Sequence, residues 1–174
     1  MSKYLPTHGF RWLTASEVAD FDIRLYEDDQ EDGFILEVDL KYPHHLHDQH
    51  SDYPLAAEQL EITSDMLSEH QRELYPKHKI APTKKLTPNL LDKTNYIVHS
   101  SNLKYYQEQG LEITKIHRVL TFKQSSWLKK YVDFNSDQRG LATSTFEKNF
   151  FKLMNNAVFG KQGSSPPPTH LAHF

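Results

Sequence analysis

The stretch Phe34-Ile-Leu-Glu-Val-Asp-Leu-Lys41 has the most regular hydrophobic pattern in this chain of 174 residues. Every second residue is apolar, at Phe34, Leu36, Val38 and Leu40, and the alternate positions include Glu37, Asp39 and Lys41. A period of two places the apolar set on one face of a β-strand and the charged set on the other. Pro43 ends the strand because proline has no N–H for a ladder hydrogen bond. The stretch predicts a half-buried strand.

A second group of patterns lies between residues 95 and 123. Residues 95–99 and 112–123 predict strands, and residues 102–109 predict a helix that Ser101 caps and Gly110 ends. Strand, helix and strand in this spacing can form a crossover unit with a paired sheet. We therefore expect an α+β fold.

Further elements are short or lie near the C-terminus. Residues 14–21 and 65–74 predict helices that begin at Thr14 and Ser64, and the lysine- and proline-containing stretch 75–92 predicts a surface loop. A helix is expected over 127–139, with Ser125 or Ser126 as its cap and a break at Gly140. A last helix is expected from a capping box at Ser144 and Glu147 to Phe159, with its end at Gly160. These boundaries predict an α+β region over 1–124, a helical region over 125–161 and a disordered tail over 162–174.

Composition excludes several classes of function. The formal net charge is −3, which excludes a uniformly basic nucleic-acid-binding surface, and the absence of cysteine excludes disulfides, thiolate nucleophiles and Fe–S clusters. No run approaches the ~18 to 20 apolar residues of a membrane span, so we expect a soluble protein without a membrane partner. Nucleophile-elbow, Walker and dinucleotide-binding motifs do not occur in the sequence.

A histidine-rich stretch follows the first strand. It contains His44, His45, His47 and His50, together with Asp48 and Asp52. Imidazole and carboxylate groups are ligands for zinc and other transition metals. The spacing matches no closed zinc module, however, so a surface loop is the default interpretation and no metal ligand is assigned.

The last predicted helix carries the residues best suited to binding. Lys152, Asn156 and Phe159 are at positions i, i+4 and i+7, and Lys148 lies one turn earlier, so helical geometry places them on one stripe. A lysine suits a phosphate, an asparagine supplies hydrogen bonds and an aromatic ring supplies a stacking surface. The stripe suits a nucleotide. The alternative is an ordinary amphipathic helix whose Lys and Asn side chains face water while its Phe residues enter the core.

The same helix resembles a known motif. Phe150-Phe-Lys-Leu-Met-Asn-Asn-Ala-Val-Phe-Gly160 resembles motif B of family B DNA polymerases, Lys-x-x-x-Asn-Ser-x-Tyr-Gly, with Ala157 for Ser and Phe159 for Tyr. Residues 5–13, 35–43, 53–56 and 115–125 resemble the protein-primed polymerases of Maverick/Polinton-type transposons and related viral elements. The resemblance covers about residues 2–161, and the tail from Gln162 departs from it.

The resemblance implies a role for each motif B position and for the preceding loop. Lys148 and Lys152 would hold the triphosphate of an incoming deoxynucleoside triphosphate, Asn156 and Phe159 would line the nascent base pair, and Gly160 would permit close packing. Residues 1–124 would belong to the palm and its insertion, residues 125–161 to the fingers. The basic loop residues would contact DNA phosphates, with a solvated loop as the alternative: Lys77, Lys79, Lys84 and Lys85.

The resemblance also shows what the chain lacks. Polymerases of this family hold two Mg²⁺ ions with aspartates of motifs A and C, and no Asp-Thr-Asp of motif C occurs here. Asp39 lies four residues before Pro43, whereas motif A places its aspartate six before the proline, so motif A is expected upstream of Met1 and Asp39 as the metal ligand is the alternative. The chain is therefore expected to be an inactive fragment of a DNA-directed DNA polymerase.

The parent polymerase would use Mg²⁺ to transfer nucleotides, under template direction, to a DNA 3′ end or to a priming protein. Its partners would be a DNA template-primer, a deoxynucleoside triphosphate and a terminal priming protein. A different class of function remains open. The chain is alternatively a non-enzymatic nucleic-acid-binding remnant of a transposon, which keeps a binding surface but no active site.

Overall fold

A computed structural model describes residues 3–78 and 83–164, which form a mixed α+β fold. The strands are β1 (Leu5–Trp12), β2 (Asp32–Lys41), β3 (Glu58–Glu61), β4 (Lys84–Thr87), β5 (Lys93–His99) and β6 (Glu112–Ser125). The helices are α1 (Ala15–Ala19), α2 (His47–His50), α3 (Glu69–His78), α4 (Ser100–Glu108), α5 (Lys129–Leu141) and α6 (Thr145–Ser164). Single 3₁₀ turns occur at Ile23–Leu25, His44–Leu46 and Ser64–Met66.

The main sheet has four strands in the order β1-β6-β2-β5, so β2 is an interior strand. The predicted alternation in β2 is confirmed, because Phe34, Leu36, Val38 and Leu40 are all buried. They pack with Val98 of β5, Leu103 of α4, Leu111 and Val119 of β6 in one hydrophobic cluster. Removal of this apolar surface from water is the main force that favours the fold.

The predicted strand–helix–strand unit is present as β5, α4 and β6. β2 and β5 are antiparallel. Ion pairs from Arg118 to Glu37 and from Lys123 to Asp32 show that β6 also runs opposite to β2. Since β5 and β6 lie on either side of β2, α4 carries the chain across that strand. Gly110 ends α4 with a φ of +97°, as predicted, because only glycine adopts this conformation without strain.

Two predicted helix starts are confirmed, and the caps predicted for α4 and α5 are wrong. Thr14 caps α1 and Ser144 caps α6, each in a capping box with the glutamate three residues later. The cap of α4 is His99, whose ring accepts the Ser101 N–H, so Ser101 is not the cap. The residue at the cap position of α5 is Leu128, which makes no side-chain hydrogen bond there, so neither Ser125 nor Ser126 is the cap of this helix.

The segment between β2 and β5 contains structure that its sequence did not predict. The expected helix over 65–74 is wrong at its start, because residues Ser64–Met66 form a 3₁₀ turn and α3 begins at Glu69. The expected loop over 75–92 instead contains the end of α3 and the strand β4, which pairs antiparallel with β3. Pairing between residues this far apart in the chain leaves no local signal. β1 was likewise not predicted as a strand.

Both predicted glycine stops in the C-terminal helices are wrong. α5 continues through Gly140 to Leu141, and α6 continues through Gly160 to Ser164. Glycine lowers helix propensity by about 1 kcal/mol but ends a helix only where the chain turns into another conformation. The predicted disordered tail is therefore wrong over 162–164, and its remainder lies outside the described residues.

The chain divides into two compact units. The first takes Met1–Gly9, Glu27–Gly33 and Phe122–Phe174, and the second takes Phe10–Tyr26 and Phe34–Thr121. In the first unit, Gln124 donates from its side chain to the carbonyls of Asp28 and Gln30, which holds the segment before β2. In the second unit lies the hydrophobic cluster described above. No helix among the described residues is long and apolar enough to cross a bilayer.

Candidate functional site

The start of α6 is held by its capping box. The backbone N–H of Glu147 donates to Ser144 Oγ at 3.2 Å, and the Glu147 carboxylate accepts from the Ser144 hydroxyl at 2.9 Å. Hydrogen bonds from the Ser144 side chain and backbone keep the pKa of Glu147 below its usual value of 4.5. A negative side chain in the first turn also complements the helix dipole. The cap fixes where α6 begins and therefore on which side of the helix each candidate residue lies.

α6 packs against α5 through polar as well as apolar groups. Asn135 is buried, and its amide donates to Asn155 Oδ1 at 3.0 Å. The Tyr131 hydroxyl donates to the carbonyl oxygen of Met154 at 3.3 Å. These bonds determine which side of α6 faces α5. Of the two adjacent asparagines, Asn155 is the one that meets the neighbouring helix.

The candidate nucleotide-binding residues lie on another side of α6. Lys148, Lys152 and Asn156 are all exposed and are spaced by four residues, so they form one stripe along the surface. We call these three residues the α6 polar stripe. Phe159 and Gly160 lie in the same helix, beyond the part whose side chains are described. The stripe presents two ammonium groups and one amide to solvent, a set that can bind a phosphate and a hydrogen-bonding ring.

A third side of α6 is apolar and exposed. Phe146, Phe150 and Leu153 expose 79%, 47% and 62% of their surface, whereas Phe151 and Met154 are partly buried. The alternative of an ordinary amphipathic helix is therefore correct for the Lys and Asn side chains, which face water, and wrong for Phe146 and Phe150, which do not enter the core. A hydrophobic pattern cannot separate two apolar stripes when only one of them has a partner helix. α6 thus has one packed side, one polar side and one exposed apolar side.

The four lysines predicted to contact DNA do not share one environment. Lys84 and Lys85 are exposed on β4, where Lys84 is opposite Glu61 and Lys85 is opposite Leu60. The carboxylate opposite Lys84 offsets its charge, which weakens the attraction of this pair for phosphate. Lys77 lies in α3, in the part whose side chains are not described, and Lys79 lies outside the described residues.

Asp39, the residue considered as an alternative metal ligand of motif A, links its own strand β2 to β5 and β6. Its Oδ1 accepts the backbone N–H of Asn95 at 2.8 Å and lies 2.7 Å from His117 Nε2. The Asn95 N–H and then the His117 ring lower the pKa of Asp39 from 3.8. His117 Nε2 is thus within ion-pairing distance of the Asp39 carboxylate.

The residues present do not fit the two-aspartate metal site of a polymerase. Within residues 3–78 and 83–164, no three His, Asp or Glu side chains are grouped as ligands for a metal ion. One oxygen of Asp39 already has two partners. The described residues therefore provide no ligand set for Mg²⁺-dependent nucleotidyl transfer.

The histidine-rich stretch packs around a buried tyrosine. His50 Nδ1 lies 2.8 Å from the Tyr42 hydroxyl, and the rings of His44 and His47 stack with centroids 4.7 Å apart. His47 also contacts the edge of the Tyr42 ring. The sequence predicts a loop here, whereas the structure has a 3₁₀ turn followed by α2.

One buried charged residue, Lys93, was not predicted from the sequence. Lys93 on β5 is 1% exposed, and its ammonium donates to Glu58 at 2.9 Å and to Asn89. Burial raises the pKa of Glu58, but the hydrogen bonds from Asn89 and Lys93 outweigh it and leave the pKa below 4.5. A lysine in a strand next to threonine and asparagine gives no sequence signal of burial. The pair joins β3 of the small sheet to β5 of the large one.

This chain matches no family model, no curated protein and no solved structure.

Proposed function

We propose that this chain is part of a protein-primed family B DNA polymerase, from the insertion after motif A to motif B in the fingers. It binds a deoxynucleoside triphosphate and DNA, and catalyses no nucleotidyl transfer alone because it lacks motif C. In the parent polymerase, Mg²⁺ ions activate the primer hydroxyl and stabilise the leaving pyrophosphate. The parent's other partners are a template-primer duplex and a terminal priming protein.

The α6 polar stripe is the observation that carries the proposal. Lys152 and Asn156 have the spacing of the motif B lysine and asparagine, and both are exposed on a helix packed against α5. A helix held by a capping box and a neighbouring helix presents its lysines with little loss of backbone freedom on binding. In this reading α5 and α6 form the fingers-type helical segment.

The elements before α5 support the palm-insertion part of the proposal. The sheet of β3 and β4, with α3 between the two strands in the sequence, interrupts the chain between β2 and β5. In the proposed reading this is the insertion that contacts duplex DNA and the priming protein. Lys85 is then a phosphate contact, and Lys84 contributes less because it lies opposite Glu61.

Nucleotide binding to purified single-residue variants tests the proposal. Lys152→Ala removes a charged donor to phosphate, and such hydrogen bonds contribute about 1.5–3 kcal/mol, so affinity for dATP should fall roughly 10- to 100-fold. Titration of a fluorescent dATP analogue with Mg²⁺ present measures the change. Asn156→Ala should weaken binding as well, because the amide is on the same stripe.

Lys130→Ala is the matched control. Lys130 is exposed on α5, so its loss removes one positive charge from the same unit without touching the stripe. Equal effects of Lys130→Ala and Lys152→Ala would indicate general attraction of an anion and would contradict a nucleotide site on α6. Wild-type protein that does not bind dATP would contradict it as well.

The second candidate function is a non-enzymatic nucleic-acid-binding module that derives from a transposon. The engagement of Asp39 by Asn95 and His117 is consistent with it, as it is with the first candidate, because this carboxylate then has a structural role in the sheet. Under this reading, Lys152→Ala leaves affinity for a DNA duplex nearly unchanged. Primer extension by the purified chain that Asp39→Ala abolishes would contradict both candidates, since Asp39 would then be a catalytic ligand.

A further inference from the structure

A cavity of about 290 Å³ lies between the end of β1, α1 and β6 in the second unit. Its lining residues are Trp12, Leu13, Ala15, Val18, His117 and Arg118. The volume is near the lower limit for ligand sites in proteins, so it suits a single ring system better than a large molecule. The cavity is separate in sequence and in unit from the α6 polar stripe.

Two of the lining residues, Trp12 and Arg118, carry flat groups that contact each other. The guanidinium carbon of Arg118 lies 4.9 Å from the centroid of the Trp12 ring, a cation–π arrangement. Indole and guanidinium planes are both surfaces on which unpaired bases stack. Ala15 and Val18 of α1 supply a small apolar wall. The shape and the chemistry suit a planar aromatic ring.

The walls of the cavity are held by local hydrogen bonds. The N–H of Leu13 donates to the carbonyl of Val119 at 2.9 Å, which ties the end of β1 to β6. Arg11 makes two hydrogen bonds to Glu17, at 2.9 and 3.1 Å, and Thr14 caps α1. The cavity is therefore preformed, which lowers the entropic cost of binding a ligand.

The positively charged and ionisable groups at the cavity are offset by neighbouring carboxylates. Arg118 Nε lies 2.5 Å from Glu37 Oε2, so one carboxylate offsets the guanidinium charge. That contact uses one of the five N–H donors of arginine. His117 Nε2 is buried and lies 2.7 Å from Asp39 Oδ1, so a second carboxylate faces this side of the cavity. This balance disfavours a triphosphate and leaves the remaining N–H donors of Arg118 for hydrogen bonds to a ligand of low charge.

A second exposed ring continues the surface along β1. Phe10 and Trp12 are two residues apart, so they lie on the same face of the strand, and they expose 58% and 42% of their surface. Side chains at this spacing are about 7 Å apart along a strand. Successive bases of a single strand, but not a free nucleotide, can use both rings.

We infer that Trp12, Arg118 and Phe10 form a stacking site for unpaired bases of single-stranded DNA or RNA, with one base in the cavity beside Trp12. The inference does not rest on the proposed nucleotide site on α6. The chemical group that this site recognises is a nucleobase that carries one phosphate. The second ring, at Phe10, favours a nucleic-acid strand over a single nucleotide.

Tryptophan fluorescence tests the inference in the full chain. Trp127 is the other tryptophan, so Trp127→Phe leaves Trp12 as the emitter. An oligothymidylate of about ten nucleotides, within the usual site size of ~4–16, should quench this emission. Arg118→Lys keeps the charge but removes the plane, and Phe10→Ala removes the second ring, so each should weaken binding roughly 5- to 100-fold.

Two further variants separate a stacking site at Trp12 from a general attraction between the protein and a polyanion. Glu37→Gln should tighten binding, because it removes the carboxylate that competes for Arg118. Lys152→Ala should leave the Trp12 signal unchanged, since Lys152 is not one of the residues that line this cavity. Absence of quenching, equal quenching by thymidine monophosphate, or no response to Arg118→Lys would overturn the inference, and none of these results bears on dATP binding at α6.

Discussion

Asp39 Oδ1 accepts a hydrogen bond of 2.8 Å from the backbone N–H of Asn95, where β5 holds one residue more than β2. The register pairs Val38 with Tyr96 and Leu40 with Lys93, so two residues of β5 stand opposite Asp39. Asn95 has a φ of +51°, in the left-handed region that asparagine tolerates better than most residues. The carboxylate satisfies a donor that the bulge removes from the regular ladder.

Replacement of Asp39 should destabilise the protein in a pH-dependent way. The hydrogen bond from Asn95 and the contact with His117 hold the pKa of Asp39 below 3.8. Their contribution to stability is therefore fully present above 3.8, and it is lost as the pH falls below 3.8 and through the lower pKa of the folded state. At pH 7, Asp39→Ala should lower the melting temperature more than Asp39→Asn, which retains an acceptor.

Thermal unfolding at pH 7 and at pH 3 measures this effect. The difference in melting temperature between wild type and Asp39→Asn should shrink at the lower pH. Asp52→Asn is the control, because Asp52 is exposed. A difference that does not change with pH would argue against a role for the charge.

Gly33→Ala should be destabilising for a steric reason. A Cβ at Gly33 would lie 2.3 Å from Phe122 Cε2 and 2.6 Å from Gln124 Oε1, far inside van der Waals contact. Overpacking of this kind costs typically about 1–3 kcal/mol. Urea unfolding of the variant measures the loss.

Two comparisons make the Gly33 result specific. Gly140→Ala should be neutral or stabilising by about 0.5–1 kcal/mol, because nothing lies within 4 Å of its Cβ position and it is inside a helix. Phe122→Leu in the Gly33→Ala background removes the ring carbon and should restore part of the stability. Equal effects of the two glycine substitutions would show that the close approach of Phe122 does not matter.

Lys93→Met should leave two acceptors without their donor. Glu58 and Asn89 both accept hydrogen bonds from the buried ammonium. Breaking a fully buried pair costs about 3–5 kcal/mol, and since Glu58 is 30% exposed, about 2–3 kcal/mol is expected here. Chemical unfolding measures the change.

A double-mutant cycle with Glu58→Gln isolates the Lys93 interaction. The double variant should lose less stability than the sum of the single variants, because the Glu58 charge is no longer left unpaired. Additive losses would show that the two residues act independently. Lys129→Ala is the exposed control, and the loss of its ion pair with Asp133 should change stability by less than about 1 kcal/mol.

Ser144→Ala should reduce the stability of α6. The substitution removes the acceptor for the Glu147 N–H at the helix start, and such caps contribute about 1 kcal/mol. Far-UV circular dichroism during thermal unfolding follows the effect. Ser126→Ala should have little effect, since Leu128 and not Ser126 precedes α5 as its cap. A larger loss for Ser126→Ala than for Ser144→Ala would contradict this assignment of caps.

Much of the main sheet was predictable because its signals are local. The alternation over 34–41 identified β2 and its buried face, and Gly110 identified the end of α4. The capping boxes at Thr14 and Ser144 were readable because each uses residues three apart. The four-residue spacing of Lys148, Lys152 and Asn156 was also readable from the sequence, and all three are exposed, as they would also be on an ordinary amphipathic helix.

Other features had no local signal. β3 and β4 pair across more than twenty residues, and neither has a long alternating pattern. The cavity beside Trp12 is lined by residues of β1 and β6, and Trp12 and His117 are more than a hundred positions apart in the sequence. Gly140 and Gly160 resemble helix stops in the sequence, but helix continuation was decided by the backbone conformation that the surrounding chain adopts.

Local order along the chain was enough to specify an α+β fold, the buried side of β2 and a helix that carries Lys148, Lys152 and Asn156 on one stripe. Tertiary contacts decided what particular polar residues do. Asp39 meets Asn95 and His117, Lys93 meets Glu58, and Asn155 meets α5. The reason is physical: a carboxylate, an ammonium or an amide can be solvated or paired, and the choice depends on which distant groups the folded backbone brings within hydrogen-bonding distance.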